Sequence, residues 1–107
     1  LRVPVEISAH IEIDGHKSET TIRDLGLGGA CLLGGSMGDS GDEGELRFEL
    51  DGGAFSLPTR TVWTAPDIND SLSVAGVCFL EVDPESGEAI DQLRKRAIAR
   101  HRIAPSR

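Results

Sequence analysis

The chain has 107 residues, with 18 acidic and 11 basic side chains and a formal charge of −7 at pH 7. This length predicts one domain, residues 1–107, and the lack of any apolar run of ~20 residues excludes a membrane-spanning helix. Residues 1–93 hold all 18 acidic side chains and five basic ones, a net −13. Such an acidic body excludes the broad basic footprint of a DNA- or RNA-binding protein.

The first third of the chain has the pattern of short strands. Apolar and mostly polar residues alternate along residues 2–13, which is the period of a half-buried strand. Asp14-Gly15 is a hairpin turn signal, and the Thr- and Ile-containing segment 17–23 suits the returning strand. Residues 30–33 then predict a short buried strand.

The middle of the chain continues this pattern after a loop. Residues 34–44 contain five glycines and, apart from Met37, no core-forming side chain, so we expect a mobile acidic loop. Three further strands are predicted, over residues 45–50, 55–64 and 71–82, with turn clusters between them. Within the second of these, Pro58 indicates an edge or a bulge. Six short strands with regular turns predict an antiparallel barrel or sandwich.

The last segment changes period and predicts a helix over about residues 84–102. Its apolar residues recur at helical spacing: Ala89, Ile90, Leu93, Ala97 and Ile98. Acidic side chains lie near its start, and the cluster of Arg and Lys lies near its end, as the helix dipole favours. A docking surface for an acidic partner is the other interpretation of that basic end.

Catalytic and metal-binding patterns are missing from the sequence. Cys31 and Cys78 stand alone in apolar stretches, and we expect buried free thiols in a reducing cytoplasm. The three histidines have no metal-ligand spacing, and no serine has a recognisable catalytic partner. We therefore expect no enzyme activity, no metal and no cofactor.

Three glycines, Gly26, Gly28 and Gly29, closely follow Asp24 between the second and third predicted strands. Glycine adopts positive φ without strain and lets a ligand approach the main chain. A β-bulge or barrel corner that needs glycine for its shape alone is the alternative. A following strand, where a helix would be required, excludes a dinucleotide-binding fingerprint.

The wider pattern resembles a known family. Residues 24–29, DLGLGG, resemble the (D/N)xSxxG motif of PilZ domains, with Gly26 in place of the serine. Arg2-Val3-Pro4-Val5 looks like the end of that family's RxxxR motif, and Val62-Trp63 resembles its frequent apolar-Trp pair. Residues 74–80 resemble its last barrel strand. The resemblance implies a six-stranded antiparallel barrel (about 2–83) with a C-terminal helix, usually a receptor for cyclic di-GMP.

The resemblance also implies a ligand site. Its residues would be Arg2, Asp24, Gly26, Gly28, Gly29 and Trp63. An arginine pairs with phosphate or guanine, and a carboxylate accepts from the guanine N1–H and N2–H groups. Trp63 either stacks on a base or packs beneath the helix.

Two departures from the family pattern leave a second function open. The first arginine of RxxxR would precede Leu1, and Gly26 lacks the hydroxyl donor of the usual serine. A receptor would relay its signal to an attached domain or partner protein. A degenerate domain would bind no cyclic di-GMP and act as a protein-interaction module.

Overall fold

A computed structural model describes residues 2–36, 38–66 and 72–103, with helix side chains described through residue 97. Six strands precede one helix: β1 (Val3–Ile13), β2 (His16–Leu25), β3 (Gly29–Leu33), β4 (Glu43–Leu50), β5 (Gly53–Pro66), β6 (Ser73–Phe79) and α1 (Pro84–Ile103). All neighbouring strands pair antiparallel, and the sheet closes in the order β1-β2-β3-β6-β5-β4. The predicted six-stranded barrel with a C-terminal helix is confirmed.

The barrel interior collects the alternate apolar residues that the sequence pattern marks. Its fully buried side chains include Ile11, Ile22, Leu25, Leu32, Leu46 and Leu57. From the helix, Ile90 joins this core at 1% exposure, so α1 packs its apolar face on the barrel. Burial of this kind is the main favourable contribution to folding.

Both Asp-Gly hairpins use the same backbone geometry. Asp14 and Gly15 have φ of 54° and 79°, and Asp51 and Gly52 have 54° and 81°. Two successive positive φ values are the signature of the type I′ turn, whose twist matches that of the flanking strands. These turns set the β1–β2 and β4–β5 registers.

Element boundaries differ from the predictions at β5 and β6. Ala65 and Pro66, which we expected in a turn, continue β5 and pair with β6. Strand β6 ends at Phe79 rather than at residue 82, because the chain leaves the ladder toward the helix. The predicted start of β6 at Ser71 lies outside the described residues. The β5 bulge falls between Thr61 and Trp63, not at Pro58.

The predicted acidic loop 34–44 is shorter in the structure, because Glu43 and Gly44 belong to β4, and the loop is attached to the barrel at several points. Gly34 N–H donates to the Ser73 carbonyl at 2.8 Å, and Gly41 N–H donates to the Thr61 carbonyl at 2.7 Å. Thr61 N–H in turn donates to the Asp42 carbonyl at 2.9 Å, which extends the β4–β5 ladder by one step. Met37 lies outside the described residues.

Helix α1 begins with a capped first turn. Asp83 accepts from the Ser86 N–H at 3.2 Å and from its hydroxyl at 2.6 Å, and Pro84 occupies the first helical position. These contacts lower the pKa of Asp83, the Ser86 hydroxyl first and its backbone N–H second. Among the described residues, no helix is both long and apolar enough to span a bilayer.

Candidate functional site

A row of five residues runs around the outside of the barrel wall. Strand pairing joins its members in order across β1, β2, β3, β6 and β5: Pro4, Asp24, Cys31, Gly76 and Trp63. Their sequence neighbours Leu25, Ala30, Ala75 and Val77 are buried in the barrel. Because successive strand residues face opposite sides of a sheet, this row lies on the outer face of the barrel.

Two bulges place Asp24 and Trp63 in the row. In β2 the register shifts between Ile22 and Asp24, and in β5 it shifts between Thr61 and Trp63. Ile22 and Thr61 are buried, so regular alternation would turn Asp24 and Trp63 inward as well. The extra residue in each strand instead turns both side chains outward.

Arg2 and Asp24 form an ion pair where the outer row crosses β2. Arg2 Nη1 donates to Asp24 Oδ1 at 3.3 Å, with the side chains 43% and 35% exposed. Arg2 directly precedes β1, whose Pro4 pairs with Asp24. The structure therefore brings together two of the predicted ligand residues that stand 22 positions apart.

The three glycines form a tight turn beside this pair. Gly26 N–H donates to the Gly29 carbonyl, and the Gly28 carbonyl accepts from Phe79 N–H, each at 2.9 Å. Neither Gly28 nor Gly29 has a positive φ. A Cβ on Gly29 would instead overlap the Val77 carbonyl oxygen. Glycine is required there for close strand packing, and the bulge of β2 lies before Asp24 rather than in the turn.

Trp63 lies on the outer wall and not beneath the helix. Its side chain is 43% exposed, and a Cβ on the opposite residue, Gly76, would overlap the indole Nε1. The indole therefore covers Gly76 and leaves part of its surface to solvent. Such a position suits stacking on a planar base.

Both cysteines are free, but they are half-buried on the outer wall rather than buried in the core as expected. Burial raises the pKa of Cys31, and the nearby Asp24 carboxylate raises it further, whereas Arg23 and Arg2 oppose the shift. Arg23 therefore lies within electrostatic reach of the site. We did not single out Arg23 from the sequence, although it adjoins Asp24.

Four small residues lie side by side on the strands between β2 and β5. Cys31 pairs with Gly76 and Gly29 pairs with Cys78, on the adjacent strands β3 and β6. We call these four residues the small-residue floor. Asp24 borders the floor on β2, and the Trp63 indole covers Gly76 on its β5 side, so a planar group placed over Cys31 would have a carboxylate on one side and an indole on the other.

The predicted ligand residues lie apart from a concavity on another part of the barrel wall. A 480 Å³ open concavity lies on the wall of β1, β4 and β5, lined by residues such as Ser8, His10, Arg47 and Phe55. None of the predicted ligand residues lines it. Within the described residues, no three His, Cys, Asp or Glu side chains group as metal ligands do.

Comparison with known proteins identifies the family to which this barrel and helix belong. The family model for the PilZ domain matches residues 1–96. The Bacillus subtilis inhibitor of motility, MotI/DgrA, is 15% identical with a TM-score of 0.83, over 95% of this chain and 51% of that one. The PilZ domain of Escherichia coli YcgR, solved with c-di-GMP, is 15% identical with a TM-score of 0.69, over 95% and 93%.

Fuller-length relatives extend beyond this chain. Escherichia coli YcgR in complex with c-di-GMP is 17% identical with a TM-score of 0.73, over 95% of this chain and 46% of that one. The chain thus spans about half the length of MotI/DgrA and of that YcgR structure. No curated protein sequence matches the chain. At these identities the structural matches show the shared fold.

Proposed function

Because this chain belongs to the PilZ domain family, we propose that it is a receptor for cyclic di-GMP and not an enzyme. The observation that carries the proposal is the 3.3 Å pairing of Arg2 with Asp24 on the outer wall, beside the small-residue floor. Solved PilZ domains of the same fold, from YcgR and from Borreliella burgdorferi PlzA, contain c-di-GMP. The presence of c-di-GMP in these two structures supports cyclic di-GMP as the ligand proposed for this chain.

The residues suit the two kinds of group that this ligand carries. The Arg2 guanidinium pairs with a phosphate or with a guanine edge, and the Asp24 carboxylate accepts from guanine N1–H and N2–H. Trp63 stacks on a base at the far border of the floor, which contributes ~1–3 kcal/mol. The exposed Arg2–Asp24 pair is worth at most ~1 kcal/mol, so the ligand opens it at small cost.

Arginine side chains near the candidate site oppose the negative charge of residues 1–93. Of the five basic residues among 1–93, three lie at this face: Arg2 and Arg23 act to lower the pKa of Cys31 in the outer row, and Arg60 pairs with Cys78 in the floor. A dianionic ligand therefore meets arginines at this face although the body is strongly negative. Salt screens the more distant acidic groups beyond ~10 Å.

Gly26 weakens the site relative to a serine-containing motif. A lost hydrogen bond to a charged group costs ~1.5–3 kcal/mol, which is about one to two decades in affinity. The Gly26 N–H already donates to Gly29, so it does not replace the missing hydroxyl. We expect binding in the micromolar range or weaker, unless an arginine upstream of Leu1 adds a further contact.

Isothermal titration with cyclic di-GMP tests the proposal, on this chain and on a form extended by its native upstream residues. Heat of binding is expected with cyclic di-GMP and not with cyclic di-AMP, whose adenines lack the N1–H and N2–H donors. Arg2→Ala and Asp24→Ala should each weaken binding by about tenfold or more. Lys17→Ala, at the distant end of β2, is the matched control. No heat at high micromolar ligand with the extended form would overturn the proposal.

The signal has a short route from the ligand turn to the helix. Leu27, in the middle of the glycine turn, lies within 3.9 Å of where a Cβ on Gly87 would stand in the first turn of α1. A ligand that moves the turn therefore acts on α1 and on an attached domain or partner. The free thiols at Cys31 and Cys78 fit a reducing compartment such as the cytoplasm.

A protein-interaction module without ligand is the second candidate. It is favoured by two adjacent apolar side chains on β5, Val62 and Trp63, which are 52% and 43% exposed. Unchanged tryptophan fluorescence on nucleotide addition, together with a partner lost on Val62→Ser, would support this candidate over the receptor.

A further inference from the structure

Arg60 projects from β5 beside the small-residue floor. It pairs directly with Cys78 on β6 and with Glu43 on β4. Its Nη2 donates to Glu43 Oε2 at 2.9 Å, and the two side chains are 50% and 59% exposed. The hydrogen bond to Glu43 raises the pKa of Arg60, and Cys78 lies close enough to contribute.

The register places Arg60 on the opposite side of the floor from Asp24, on the strand that also carries Trp63. Gly29, Cys78 and Arg60 form a second outward row, adjacent to the row that runs from Asp24 to Trp63. The strands that carry Asp24 and Arg60, β2 and β5, are thus three strand spacings or ~14 Å apart along the sheet, and the two residues lie in adjacent rows. Gly29 and Cys78, which lie beside Arg60 in its row, have no long side chain that would cover it.

We propose that Arg60 is a further ligand-contacting residue of this site, held by Glu43 in the ligand-free state and released from it on binding. This inference rests on the proposed cyclic di-GMP function. The guanidinium fork matches the two acceptor groups of that ligand, the O6/N7 edge of guanine and the phosphate oxygens. An exposed ion pair contributes little, so exchanging Glu43 for the ligand meets only a small barrier.

Glu43 then acts as an internal competitor for Arg60. A carboxylate directly opposite Arg60 occupies the donors that the ligand needs, and its charge opposes an approaching phosphate. The two partners of one ion pair should therefore have opposite effects on affinity. A purely structural pair would give effects of the same sign, because losing either partner breaks the same contact.

Isothermal titration of cyclic di-GMP into four variants tests the role of Arg60. The variants are made in whichever form binds cyclic di-GMP, this chain or the form extended upstream. Arg60→Ala should weaken binding by about tenfold, and Glu43→Gln should strengthen it by about two- to fivefold. Arg60→Lys separates the acceptors: retained affinity indicates a phosphate, and a loss equal to that of Arg60→Ala indicates the guanine edge.

Arg47→Ala is the matched control. Arg47 is also an outer-wall arginine paired with a glutamate, Glu45, at 2.7 Å, but it lines the concavity of β1, β4 and β5. Its removal should leave the affinity unchanged. Wild-type affinity in Arg60→Ala, or weaker binding in Glu43→Gln, would overturn the role of Arg60 while the receptor proposal stands. Absence of binding by the unmodified chain and its extended form would overturn both.

Discussion

The indole of Trp63 fills the space over Gly76 that any larger side chain would need. The two residues pair across β5 and β6, and the bulge before Trp63 sets this face-to-face position. The orientation of the tryptophan on the outer wall therefore depends on a glycine in the neighbouring strand.

Gly76→Ala should push the indole away from the wall. Because the chain has one tryptophan, its emission reports this position alone, and we expect a red shift as the indole gains solvent. Affinity for cyclic di-GMP should fall by about tenfold as the stacking surface is lost. Gly28→Ala, where an added Cβ meets nothing within 4 Å, should leave the emission unchanged. An unshifted spectrum in Gly76→Ala would contradict the described packing.

Gly29→Ala and Gly28→Ala should differ in stability although the two positions are adjacent. A Cβ on Gly29 overlaps the backbone carbonyl of Val77, which cannot move without disturbing β6. We expect Gly29→Ala to lower the free energy of unfolding by about 1–3 kcal/mol. Gly28→Ala should change it by less than about 0.5 kcal/mol. Urea denaturation followed by circular dichroism measures both, and equal losses would count against this account.

Asp24→Asn should make the Cys31 thiol more reactive. The Asp24 carboxylate helps to raise the pKa of Cys31, so its neutralisation lowers that pKa and increases the thiolate fraction near pH 8. The shift is partial, because burial is the larger cause and remains. Iodoacetamide labelling followed by peptide mapping measures the rate at Cys31, with the rate at Cys78 as the internal control. A slower rate at Cys31 would refute the prediction.

The cap of α1 should make stability depend on pH through Asp83. Its pKa is lowered in the folded protein, so its stabilising contribution is complete above the unfolded value of about 3.9 and is lost as the pH falls through the folded value. Asp83→Asn keeps a capping side chain without the charge. The difference in melting temperature between wild type and Asp83→Asn should shrink as the pH falls from about 5 to 3. A constant difference would show that the carboxylate charge is irrelevant to the cap.

The fold could be predicted from the sequence because apolar and polar residues alternate along its strands and turn-forming residues stand between them. Period-two segments predicted the strands, the pair Asp14-Gly15 predicted the first hairpin, and the change to helical spacing located α1. The family motifs predicted that Arg2 and Asp24 belong to one site, and the structure adds their ion pair. Strand ends were less accurate, since the limit of β6 depends on where the chain leaves the ladder.

The rest of the candidate site depends on strand register, which no local pattern reveals. Arg60 became a ligand candidate only when β6 placed Cys78 opposite it. The cysteines looked like core residues because their sequence neighbours are apolar, but their register turns them to the outer wall. Simple alternation along β5 would likewise have turned Trp63 into the barrel.

The bulges in β2 and β5 each add one residue to an otherwise regular strand. Shortening each strand by that residue would restore strict alternation and direct a carboxylate and an indole into the apolar interior. The barrel and the proposed ligand surface are thus encoded differently, the first by a repeating pattern and the second by two interruptions of it. Deleting either extra residue would therefore remove a side chain from the proposed ligand surface, although the apolar alternation of the strands would be retained.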